Sequence, residues 1–163
     1  MAVRVVMSRA KKHAVGGVLV LDNDAINKAS TEREVLVYLS AALRRQARVV
    51  TSAAVLAEVM RGSNRDAALH RVVGQIVVDP VTEEIGLSAG RLIGKTGFDS
   101  TEVVDAIIAA TAHDHADRAK RAGAKPDVLV ITADLSHLPA LVGEQQGITV
   151  EHVEEIRKRL GKA

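Results

Sequence analysis

Cysteine and tryptophan are absent from the 163 residues, and tyrosine and phenylalanine occur once each, at Tyr38 and Phe98. Without cysteine there is no disulfide framework, no thiol nucleophile and no thiolate zinc site, a composition that fits the cytoplasm. Two aromatic rings are too few for a platform on which single-stranded bases stack, so any contact with such a ligand must rest on charge, shape and hydrogen bonds. Long apolar runs are also missing. The run nearest the start, Val18 to Leu21, ends at Asp22 and falls far short of the roughly 20 residues of a membrane helix. Arg4, Arg9, Lys11 and Lys12 resemble the basic start of an export signal, but Asp22 and Asp24 stand where its small-residue cleavage site would lie, so neither export nor a membrane anchor is expected. Residues 1–16 read as a mobile basic extension.

What is present is ordinary for one globular domain. Hydrophobic residues make up 47% and charged residues 26%, with a net charge of +2, and a chain of this size buries a sizeable core unaided. The cations are clustered in Arg44, Arg45 and Arg48, in Arg61 and Arg65, and in Arg118, Lys120, Arg121 and Lys125. Such clusters can meet phosphates, or can simply be solvated helix faces.

The order of elements is legible from apolar spacing. Val18 to Leu21 and Val128 to Ile131 are unbroken runs without alternation, the pattern of strands buried on both faces of a parallel sheet. Shorter strands are expected at Arg48 to Thr51, Ile76 to Val78 and Ile148 to Val150. Between them, helical spacing predicts helices over residues 32–46, 52–61, 65–74, 83–93 and 102–120, one from Pro139 to about Gly147, and a last one carrying Ile156 and Leu160. Alternating strands and helices predict a three-layer α/β/α sandwich with a mainly parallel central sheet.

In such sheets ligands bind beyond the carboxyl ends of the strands. Asp22 ends the first strand and Asp134 follows the Val128 run, although an Asp after a strand is often only a turn former or helix cap. Glu58 and Asp105 are more informative. Each lies within a helix among apolar or small neighbours, where a carboxylate is costly unless paired or bound to a metal; the competing reading puts each on an exposed helix edge. If the four converge, two carboxylates about 5 Å apart repel by roughly 3 kcal/mol at an effective dielectric of about 20. A hard divalent cation, Mg²⁺ or Mn²⁺, relieves that repulsion with oxygen ligands alone. His113 and His115 lie on different helix faces and are expected to be solvated; His137 and His152 suggest no role.

The stretches Val18 to Asp22, Thr51 to Gly62, Asp105 to Ala112 and Val130 to Asp134 resemble, in order, the four acidic motifs of PIN domain ribonucleases, and among those the VapC type toxins of toxin-antitoxin pairs are most similar in size. The resemblance covers about residues 18 to 151. It implies a PIN domain over residues 17–155 with residues 156–163 ending the last helix. It also implies a Mg²⁺-dependent endoribonuclease, with Mn²⁺ able to substitute, whose Asp22, Glu58, Asp105 and Asp134 are the catalytic metal ligands. Thr132 matches a hydroxyl position expected to hold a water or phosphate, and Arg61 is a candidate for binding RNA. An antitoxin protein and a homodimer are the implied partners. Two departures stand out: Asp24 occupies a position usually held by Ser, Thr or Asn, leaving open whether it adds a ligand, and Ser136 and His137 stand where many relatives carry a further Asp. Two alternatives compete. One is a haloacid dehalogenase-like phosphatase with Asp22 as nucleophile and Asp24 as general acid, which leaves Glu58 and Asp105 idle. The other is a catalytically silent PIN domain that only binds protein or RNA.

Overall fold

The computed structural model describes residues 17–160, without the side chains of residues 159 and 160, so the expected extension over residues 1–16 and the last three residues lie outside the described residues. Five strands form one sheet: β1 (Val18–Leu21), β2 (Arg48–Ser52), β3 (Val77–Asp79), β4 (Val128–Thr132) and β5 (Ile148–His152). Every neighbouring pair is parallel, in the order β3-β2-β1-β4-β5. All five residues of β4 and three of the four in β1 are buried, which explains why their sequences are continuous rather than alternating.

Among the described residues, seven α-helices lie between the strands and one follows the last: α1 (Asn23–Thr31), α2 (Arg33–Arg44), α3 (Ala53–Val59), α4 (Ala67–Val73), α5 (Glu83–Thr96), α6 (Val103–Arg121), α7 (Leu138–Val142) and α8 (Val153–Leu160). The chain moves outward from β1 to β3 and then returns to the other side of β1. Right-handed crossovers therefore put the helices before β3 on one face and those before β4 and β5 on the other. The packing agrees: α1 contacts α2 and α4, and α2 contacts α8, while α5, α6 and α7 contact one another. The expected three-layer sandwich is the observed one, and its strand order reverses between β1 and β4. That reversal opens a crevice at their carboxyl ends.

Two expectations are corrected. Apolar spacing predicts no helix over residues 23–31, yet α1 forms there. Asp22 caps it, accepting a hydrogen bond from the Ala25 N–H at 2.8 Å, and Ala25, Ile26 and Ala29 supply a short buried stripe. The helix expected to run to Gly147 ends at Val142, because Gly143 turns the backbone to φ 67°.

Gly147 closes the turn into β5 at φ 88°, and a Cβ built there would come within 2.5 Å of the Pro126 Cβ and 2.7 Å of its carbonyl oxygen. Its own carbonyl accepts the Val128 N–H at 2.8 Å, which fixes the start of β4. Gly147→Ala is expected to cost about 2–5 kcal/mol, combining left-handed backbone strain with overpacking. Urea unfolding checks this; a cost below 1 kcal/mol would mean that the turn relaxes freely.

Candidate metal centre

The fold delivers acids to the crevice from four directions. Asp22 leaves the end of β1, and Asp134 sits two residues beyond β4. Glu58 comes from α3, whose start is fixed by Ser52 at the end of β2 accepting the Ala54 N–H. Asp105 projects from the first turn of α6, where the helix dipole favours a negative charge. Beyond Glu58 the chain is tied down by Asp66, whose Oδ2 accepts from the backbone N–H groups of Arg61 at 2.8 Å, Gly62 at 2.7 Å and Ser63 at 3.3 Å.

Together these elements enclose a cavity of about 120 Å³ lined by Asp22, Asn23, Asp24, Glu58, Thr101, Val104, Asp105 and Asp134. All four acids singled out from sequence reach it, as does Asp24. No lysine or arginine lines it. Burial and negative charge act on the individual groups. Burial pushes the Asp22 carboxyl up to about 7, aided by the charges of Asp24 and Asp105; the Thr132 hydroxyl and the Ala25 N–H only partly offset this. Asp105 is pushed up to about 6 by desolvation and by its contact with Glu102. Glu58 is raised by desolvation and Asp24, with Arg61 opposing. Asp134 goes the other way: hydrogen bonds from the Ser136 hydroxyl and N–H hold it low.

A set of oxygen donors that repel one another and cost free energy to ionise fits a hard divalent cation, which takes carboxylates without requiring nitrogen or sulfur. Asp22 in particular is 2% exposed, so water cannot do what such an ion would.

Other expected residues are placed differently. Thr132 is fully buried and does not line the cavity; its hydroxyl accepts the Asp134 N–H at 2.9 Å and stands within reach of the Asp22 carboxyl. In this place it holds the Asp134 N–H and the Asp22 carboxyl. Arg61 is exposed, and its guanidinium donates to the carbonyls of Ala57 and Met60. His115 is not solvated: it is buried, with Nε2 2.6 Å from Asp79 Oδ2. His113 is half-buried, its Nε2 2.8 Å from the Val142 carbonyl oxygen. The sequence reading missed Glu102 and His137, which stand together beside Asp105. Glu102 carried a weak signal, lying three residues before Asp105 and hence on the same side of the helix start.

An all-parallel α/β sandwich with a carboxylate cavity at its strand-order reversal is thus the class that fold and site define. The family profile described as PIN domain matches residues 19–137, and the chain belongs to the PIN domain family, whose members are generally nucleases. That membership displaces the dehalogenase-like alternative. A solved structure with the same fold is that of VapBC2 from Rickettsia felis bound to a DNA fragment from their promoter, similar at 14% identity and a TM-score of 0.58 over 83% of this chain and 98% of that one. No curated protein matches the chain. Among the described residues no helix is long and apolar enough to cross a membrane.

Proposed function

We propose that this protein is a Mg²⁺-dependent endoribonuclease, with Mn²⁺ able to replace Mg²⁺, and the toxin of a type II toxin-antitoxin pair in the cytoplasm. The observation that carries the reading is the convergence of Asp22, Glu58, Asp105, Asp134 and Asp24 on one small cavity free of lysine and arginine. Family membership supports nuclease chemistry, and the likeness in fold to a VapBC2 complex supports an antitoxin partner.

Asp22, Glu58, Asp105 and Asp134 hold the cation, with Asp24 as a further donor. The bound cation supplies polarisation of a phosphodiester and of the attacking water, and neutralises the charge that develops in displacement. The protein's own part is positioning. The Ala25 N–H and the Thr132 hydroxyl fix the Asp22 carboxyl, Ser136 fixes Asp134, and the Asp66 turn fixes the exit from α3 behind Glu58. Arg61 and the other surface cations hold RNA phosphates, so affinity falls steeply with salt. The protein works as a homodimer whose site an antitoxin segment occludes.

The test is cleavage of a pool of cellular RNAs by the purified chain with Mg²⁺, with Mn²⁺ and with chelator, alongside single-stranded DNA of matched sequence. RNA cleavage that needs the cation, with DNA left intact, is the expected result. Equal cleavage in chelator would remove the metal from the reading. RNA binding without cleavage under any divalent ion would favour the silent binding module.

A further inference from the structure

Glu102 and Asp105 stand three residues apart at the start of α6, and His137 closes the same corner from the segment between β4 and α7. His137 Nδ1 lies 3.0 Å from Glu102 Oε2, and the Phe98 ring meets the imidazole edge-on with centroids 5.0 Å apart and planes at 80°. The Asp105 carboxyl lies close to that of Glu102. One ligand atom from each of Glu102, Asp105 and His137 lies within 4.8 Å of the other two. Two carboxylates and an imidazole this close together offer a divalent cation oxygen and nitrogen donors at once. The adjoining cavity adds four more carboxylates, from Asp22, Asp24, Glu58 and Asp134, and no lysine or arginine.

We propose that Glu102, Asp105 and His137 form a second divalent-cation position, sharing Asp105 with the cavity, and that its imidazole nitrogen makes it select Mn²⁺ over Mg²⁺. The inference rests on reading the neighbouring cavity as a cation site. Mg²⁺ takes oxygen ligands in near-ideal octahedra and keeps much of its water, whereas first-row transition ions accept imidazole readily. Ligand bonds of about 2.0–2.2 Å bring adjacent donors to about 3 Å apart. His137 Nδ1 and Glu102 Oε2 already stand at 3.0 Å, and all three ligand atoms lie within 4.8 Å of one another. Phe98 holds the ring in the required orientation without competing for a nitrogen.

The test uses Mn²⁺ alone, titrated into the full chain and followed by electron paramagnetic resonance with electron spin echo modulation, which detects ¹⁴N bonded to the ion. The wild type is expected to show imidazole nitrogen coupling that excess Mg²⁺ displaces poorly. His137→Gln is expected to abolish the coupling and weaken that Mn²⁺ by at least about tenfold, the minimum seen when even an outer partner of a ligand is lost. Glu102→Gln is expected to weaken binding while keeping the coupling, which covers the case in which the histidine variant fails to fold. Absence of nitrogen coupling in the wild type, or its persistence in folded His137→Gln, overturns the proposal. Mn²⁺ bound without nitrogen coupling and lost in Asp22→Asn would leave the cavity reading standing and this one fallen. Nitrogen coupling with a stoichiometry unchanged by Asp22→Asn would do the reverse.

Discussion

Asp105→Asn is expected to reduce Mg²⁺-dependent RNA cleavage by at least about a hundredfold, since losing a residue that only orients a metal ligand already costs 10–100-fold. The reduction should come without unfolding. Asp105 is half-buried in the first turn of α6 rather than sealed in the core. Asparagine there gives up a favourable dipole interaction of about 0.3–1 kcal/mol and at the same time removes the repulsion between Asp105 and Glu102. The two effects oppose each other, so the melting temperature should stay close to that of the wild type. Initial rates on a defined RNA, measured with a thermal melt of the same preparation, separate chemistry from folding. A variant that cleaves within threefold of the wild type would take Asp105 out of the site and leave the other carboxylates without their link to α6.

The acids were legible because they break a pattern. Asp105 and Glu58 interrupt runs such as Val103, Val104, Ala106, Ile107 and Ile108, where a charge is expensive unless it has something to do. Asp22 and Asp134 were legible only through topology, since strand ends at a switch point are where ligands bind and turn formers occur there for other reasons as well. The sheet was readable for the same physical reason: β1 and β4 are central, so burial on both faces leaves no room for polar residues. α1 was not readable, because its three buried residues make a weak stripe and its strongest signal, the capping Asp22, was already claimed as a site residue. The environments of His115 and His137 were not legible because their partners are remote in sequence. His115 meets Asp79, 36 residues away, and His137 meets Glu102 across the β4 strand; helical spacing within one element cannot reveal such pairs. Thr132 shows the complementary limit. A hydroxyl near a strand end matches a ligand position by pattern, but only coordinates reveal that it faces the carboxylates from the buried side.

Asp22→Asn is expected to make the metal-free protein more stable near neutral pH. The wild-type carboxyl titrates at about 7 in the folded chain against 3.8 unperturbed, which corresponds to an ionisation cost of about 4 kcal/mol. A folded value raised above the unfolded one sets the sign. Below about pH 4 the group is neutral in both states and costs nothing. As pH climbs towards about 7 the unfolded chain releases the proton while the fold retains it, and stability declines until Asp22 ionises in both states. Asp105, raised to about 6, acts in the same direction but with a smaller effect because it is partly solvated. Asparagine is as good an N-cap as aspartate and keeps the Ala25 N–H bond, so the variant sheds the ionisation cost and retains the cap. A bound divalent ion reverses the comparison, because saturation at about a hundred times Kd stabilises the wild type by about 2.7 kcal/mol that the variant largely forgoes. Urea unfolding of both proteins at about pH 5 and about pH 8, in chelator and then in Mg²⁺, reads the difference of differences and cancels every group not coupled to Asp22. In chelator the advantage of Asp22→Asn should grow from the acidic to the alkaline buffer, and Mg²⁺ should shrink it. An advantage that ignores both pH and Mg²⁺ would mean that this buried carboxyl carries no ionisation cost for a cation to relieve.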